Sequence, residues 1–135
     1  QKKDIDLLCM MNIGNENKNI SIEIKADRYS HSKNYFFEVC SNLSKKTPGC
    51  ILITEADFIF YYFVKKKELH IWPTQKVRSW FLKNYNRFDL AKTSSSKNGK
   101  VIYESAGFKV PITTLANEVD IKIFSIKKFL EKKAA

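Results

Sequence analysis

Ile20-Ser-Ile-Glu-Ile-Lys-Ala-Asp27 is the stretch around which the chain is organised. Ile20, Ile22 and Ile24 alternate with Ser21, Glu23, Lys25 and Asp27, so a strand here has one greasy face and one polar face. The polar face carries carboxylates on both sides of a lysine. An ordinary amphipathic strand has no need of that arrangement, which raises the question of what else converges on it.

Upstream, the pattern from Asp4 to Met10 predicts a strand with Ile5, Leu7 and Cys9 on one face and Asp4, Asp6 and Leu8 on the other. The turn-rich run Asn12 to Asn19, with Gly14 among asparagines, predicts a hairpin joining this strand to Ile20–Asp27. The polar residues 28–33 read as a loop, and Asn34 to Cys40 as a third strand. Cys50 to Thr54 and Phe58 to Val64 read as strand segments interrupted at Glu55-Ala-Asp57, followed by a strand from Glu68 to Trp72. After Pro73 a helix is expected, capped by Thr74, with Val77, Trp80, Phe81 and Tyr85 on one apolar face. Ala91 to Lys100 reads as a mobile serine-rich loop and the next stretch as a short hairpin around Gly107. Pro111 to Asn117 turns into a short helix, and Asp120 to Leu130 fits either a strand running into a helix or one helix.

With 135 residues, 44% of them apolar and 13% aromatic, the chain is expected to form one domain, 1–135, with a substantial core. No apolar run approaches the ~18–20 residues of a bilayer span, and the opening residues resemble no signal or transit peptide. Because the first residue is Gln, the sequence reads as a piece from which an N-terminal element is missing. Cys9, Cys40 and Cys50 have no close-pair spacing, so reduced thiols in an intracellular protein are expected. The formal charge of +10 favours a polyanionic partner such as nucleic acid. His31 and His70 lack metal-ligand spacing, and Ser94 to Ser96 have no evident His partner.

An antiparallel hairpin places Asp6 in the same sheet as Glu23 and Lys25. Neighbouring carboxylates repel unless a cation lies between them, and a hard divalent ion with oxygen ligands meets that need. A lysine alongside can hold the attacking water or offset charge on a phosphate. Asp6 followed by Glu23-Ile-Lys25 resembles the Asp...Glu-x-Lys signature of the PD-(D/E)xK nuclease superfamily, which includes restriction endonucleases and Holliday junction resolvases. The resemblance spans roughly Asp4 to Trp72. Ile5 stands where the signature has proline, and the N-terminal helix that often supplies a further Glu is not found. A second register, Asp27 with Glu38-Val-Cys40, has a thiol where the lysine should be.

The resemblance implies an α/β fold with a restriction-endonuclease-like central mixed sheet flanked by helices. It also implies Mg2+ or Mn2+ on Asp6 and Glu23, with Lys25 completing the catalytic set and Asp27 and Glu38 supporting it. The implied activity is hydrolysis of DNA phosphodiester bonds, structure-selective or junction-resolving, with a homodimer as the assembly a resolvase requires. Arg28, Lys33, Lys45 and Lys46 are the expected contacts to backbone phosphates, with His31 and Lys65 to Lys67 near the approach. The alternative is a nuclease-like module that binds nucleic acid or protein without cutting.

Overall fold

The computed structural model describes residues 5–29 and 31–134. Strands dominate a mixed α/β architecture: β1 Leu7–Ile13, β2 Glu16–Asp27, β3 Asn34–Asn42, β4 Thr47–Pro48, β5 Phe58–Phe63, β6 Glu68–Pro73, β7 Asp89–Lys97, β8 Lys100–Pro111 and β9 Lys122–Ser125. The helices are α1 Cys50–Ile53, α2 Thr74–Asn84, α3 Ile112–Glu118 and α4 Ile126–Ala134, with a 3-10 turn over Tyr85–Arg87. No helix among the described residues is long and apolar enough to cross a membrane.

The expected hairpin forms. β1 and β2 are antiparallel, joined through Gly14 and Asn15, both at positive φ (58° and 69°) as a tight two-residue turn requires. The first strand begins later than anticipated, and Asp4 lies outside the described residues. In place of one central sheet there are two: a mixed five-stranded sheet in the order β1-β2-β5-β6-β9, and a four-stranded sheet β4-β3-β8-β7. β3 does not continue the β1–β2 meander. Its edge pairs with β8 in the second sheet, which leaves β2 to take β5 as a parallel neighbour.

That register decides which way the polar face of β2 points. Glu23, Lys25 and Asp27 stand beside Ile59, Tyr61 and Phe63 of β5, which in turn stand beside Trp72, His70 and Glu68 of β6. Laterally paired residues share a sheet face. The polar side of β2 therefore looks inward, onto the aromatic core, while Ile24 on the greasy side is 45% exposed. Tyr35 and Phe37 of β3 close the core from the opposite sheet, with ring centroids 4.8 and 4.7 Å from Trp72 and 5.1 Å from Tyr35 to Tyr61. Val77 and Phe81 of α2 complete it, while Tyr85, placed by periodicity on the same face, is exposed.

Three local expectations give way to tertiary contacts. Cys50–Ile53 is a helical turn, not a strand. A short apolar run carries no period by which to choose, and α1 is held by Arg78, whose guanidinium donates to the carbonyls of Ile51 and Thr54. The serine-rich loop is instead β7, because β8 offers it a ladder from Asp89↔Lys109 to Lys97↔Lys100, broken only by a register shift between Ser95 and Ser96. The hairpin expected around Gly107 is one uninterrupted strand. Glycine stands there because a Cβ would lie 2.6 Å from Phe36 Cζ and 2.7 Å from the Phe37 carbonyl oxygen. At the C-terminal end, the strand-then-helix option is the one adopted, as β9 and α4. At Glu55-Ala-Asp57 the break has a purpose: Asp57 Oδ2 accepts from the N–H (2.9 Å) and hydroxyl (3.1 Å) of Ser21, tying the entry of β5 to β2.

His70 is a polar member of the core. Its Nδ1 meets the Tyr35 hydroxyl and its Nε2 lies 3.1 Å from Glu68 Oε1. Burial, with Lys66 nearby, lowers its pKa below the ordinary 6.5, against the opposing pull of Glu68. The folded state therefore holds His70 neutral while the unfolded chain protonates near pH 6.5, so this contribution to stability is complete above pH 6.5 and lost as pH falls below it. The urea midpoint should drop between pH 7 and pH 5.5 by more in the native chain than in His70→Asn; parallel pH profiles would refute this.

Candidate functional site

Glu23 is the residue that gives the inward face its chemistry. A carboxylate only 5% exposed is costly unless a cation answers it, and Lys25, two residues on along the same face, places Nζ 3.3 Å from Oε1. The lysine side chain stays 38% exposed, so the buried carboxylate lies beneath an ammonium group that still reaches solvent. Burial by itself lowers the lysine pKa. The charges of Cys50, Glu23 and Glu38 outweigh that effect and raise it. Glu23, 3.3 Å from the ammonium, comes from β2, and Glu38, whose charge also acts on the lysine, comes from β3 of the other sheet.

Asp27, the next residue on this face, is fixed at both oxygens. Oδ2 accepts from the Tyr61 hydroxyl at 2.9 Å and Oδ1 from the Tyr29 N–H at 2.8 Å. The Tyr61 oxygen in turn accepts from the Phe36 N–H at 3.1 Å, which bridges β5 to β3. Burial, reinforced by the Asp27 charge, pushes the Tyr61 pKa above its ordinary value, so Tyr61 donates to Asp27 throughout the working pH range.

Asp6 takes a different position. Its N–H donates to the Ile22 carbonyl at 2.9 Å and its carboxylate accepts from the Ile24 N–H at 2.7 Å. These two bonds bracket Glu23 along the backbone of β2. Because a strand's N–H groups lie in the plane of its sheet, the Asp6 carboxylate sits at the edge of β2, where the continuation of β1 would otherwise pair.

Lys25, Asp27 and Glu38 open onto a cleft of about 1030 Å³ between the two sheets. Arg28 and His31 line it from the loop after β2, and Lys92 and Lys109 from β7 and β8. Of the basic residues singled out by sequence, Arg28 is thus on the cleft. Lys33 is exposed at the start of β3, where its carbonyl accepts from the Ile112 N–H. Lys45 and Lys46 are exposed in the turn between β3 and β4. Lys92 and Lys109 do not stand out in the sequence because the stretches that carry them have the pattern of a loop and a short hairpin. The alternation Phe108-Lys109-Val110 is the signal that could have found the second of them, since Val110 is fully buried and its neighbour must face away.

Among the described residues, no group of three or more His, Cys, Asp or Glu side chains is gathered to hold a metal ion. A hard divalent cation takes one or two carboxylates and completes its shell with water and phosphate oxygens; of the two expected ligands, Glu23 is paired with Lys25 and Asp6 holds the Ile24 N–H away from the cleft lining. Comparison of the chain with protein-family models, with curated proteins and with solved structures finds no match.

Proposed function

We propose that this protein is a metal-dependent endonuclease of the PD-(D/E)xK type that hydrolyses DNA phosphodiester bonds in the cleft between its two sheets. The observation that carries the reading is the Lys25 ammonium at the cleft, held 3.3 Å from buried Glu23 and acted on by Glu38 from the facing sheet. In phosphodiester hydrolysis a water oxygen attacks phosphorus, negative charge grows on the non-bridging oxygens, and the leaving oxygen takes up a proton. A preorganised ammonium group next to that centre stabilises the growing charge and orients the water. Arg28, Lys92 and Lys109 are placed to draw the backbone into the cleft.

Asp6 and Glu23 are the proposed ligands for Mg2+ or Mn2+, a role that requires the Asp6 carboxylate to leave the Ile24 N–H and turn toward Glu23, since neither residue lines the cleft. A bound cation would supply Lewis-acid polarisation of the phosphate and a more acidic water. Asp27, already committed to Tyr61 and Tyr29, acts by fixing the loop that carries Arg28.

The direct test incubates the native chain with supercoiled plasmid and with branched duplexes, in Mg2+, in Mn2+ and in EDTA. Metal-dependent nicking that disappears in Glu23→Gln is the expected result. Cleavage that survives this substitution removes the site from consideration. No cleavage of any substrate, with DNA still bound, leaves the non-catalytic binding module as the better description.

A further inference from the structure

β7 and β8 continue past the body of the protein as a two-stranded ribbon. Residues 96–104 are exposed throughout, and the ribbon ends in a tight turn at Asn98 and Gly99, with φ of 53° and 76°. Lys97 and Lys100 flank that turn as a cross-strand pair. At the other end, Lys92 and Thr93 to Ser95 line the cleft. The base is held by the cross-strand contact of the Thr93 and Ser105 hydroxyls at 2.7 Å and by the Leu43 N–H on the Glu104 carbonyl at 2.8 Å. Lys97 lies five positions after Lys92, about 17 Å along an extended strand. One arm therefore joins the candidate site to a remote pair of cations.

We infer that this ribbon enters the major groove of B-form DNA, and that duplex DNA, not RNA, is what the cleft receives; the inference rests on the nuclease reading above. Charge and shape both bear on the choice of partner. Lysines at 92, 97 and 100 against the single acid Glu104 give the ribbon a net positive charge, and like-charged lysines paired across a turn are relieved by an anionic partner. A two-stranded ribbon fits the roughly 12 Å width of the B-form major groove. The A-form groove of duplex RNA is too deep and narrow to admit it. Ser94 to Ser96 are short enough to let the backbone approach and carry hydroxyls that suit phosphates and base edges. Exposed Val101 and Ile102 on the other strand match apolar contact with thymine methyl groups.

The experiment measures binding without cleavage, by anisotropy in EDTA, using the Glu23→Gln chain and short DNA and RNA duplexes of one sequence. The DNA duplex should bind at least tenfold more tightly than the RNA duplex. Adding Lys97→Ala and Lys100→Ala should weaken DNA binding and reduce the slope of log K against log salt by about 1.8, the share of two phosphate contacts. Lys97→Arg with Lys100→Arg should keep both affinity and slope, which separates lost charge from lost folding. Equal binding of RNA, or an unchanged salt slope in the alanine variant, overturns the inference. The two readings fail separately. Ribbon-dependent DNA binding by a native chain that cuts nothing sinks the nuclease and upholds the ribbon, whereas metal-dependent cutting with a ribbon-independent salt slope does the reverse.

Discussion

Gly49→Ala should be among the most damaging single-methyl additions in this chain, lowering stability by about 3 kcal/mol or more and the melting temperature by roughly 10 °C. Gly49 has ordinary extended backbone angles, φ −81° and ψ 163°, so conformational freedom is not the reason. The reason is space. A Cβ there would lie 2.1 Å from the Glu38 carbonyl oxygen, 2.4 Å from its carbon and 2.8 Å from the Val39 carbonyl carbon. These are backbone atoms of β3, which cannot rotate away as a side chain would. The Gly49 N–H also donates to the Val39 carbonyl at 2.9 Å, and β3 shifts register against β8 between Glu38 and Cys40. Relief must therefore move α1 away from β3 or deform β3 at Glu38. Either movement disturbs the charges around Lys25, so the proposed DNA cleavage should fall together with stability. Gly14→Ala is the matching control: at φ +58°, with no atom within 4 Å of the new methyl, it should cost only about 1–2 kcal/mol, from backbone strain alone. Thermal melts of both variants check the contrast, and a Gly49→Ala melt no lower than that of Gly14→Ala would refute it.

The close approach at Gly49 also marks where sequence reasoning stops. The period of two in Ile20–Asp27 is a property of the strand itself, and the Gly14 turn is local, so both could be read without knowing the fold. The direction of the faces could not. Ile22 and Ile24 look like the buried side, and Ile22 is indeed buried, but a parallel β5 puts Tyr61 and Phe63 next to Lys25 and Asp27 and turns the polar side inward as well. The greasy residue Ile24 is consequently left half exposed. Glu23 and Lys25 were legible as a chemical pair because they are two residues apart on one strand. Glu38 was visible only as part of another register, since its approach to Lys25 depends on β3 crossing to the second sheet. β7 was illegible for a different reason: serines have no strand preference of their own, and only the ladder offered by β8 makes them a strand.

On the nuclease reading proposed above, Lys25→Met should reduce cleavage by about 10²–10³-fold, the usual cost of removing one preorganised charge-stabilising donor. Its effect on folding can be separated from its effect on chemistry. With the ammonium gone, Glu23 keeps its burial and loses a cation 3.3 Å away, so its carboxyl pKa must rise. Removing one partner of a fully buried pair costs ~3–5 kcal/mol. The lysine side chain here is 38% exposed, and solvent already screens part of the attraction, so about 1–2 kcal/mol is the expected loss at pH 8. As pH falls the Glu23 carboxylate, its lysine partner removed, takes up a proton more readily and the deficit relative to the native chain should shrink, because in the variant the folded state gains affinity for that proton relative to the native chain. Lys25→Met combined with Glu23→Gln removes the buried charge and should recover most of the stability while remaining inactive. Lys25→Arg keeps a positive charge but replaces a compact ammonium with a planar fork; it should restore stability more fully than activity. Urea titrations at pH 8 and pH 5.5, run beside single-turnover cleavage, check all three variants. If cleavage by Lys25→Met rises and falls with its stability across pH, or if the double variant cuts as well as the native chain, Lys25 is a structural counter-ion to Glu23 and has no part in the chemistry.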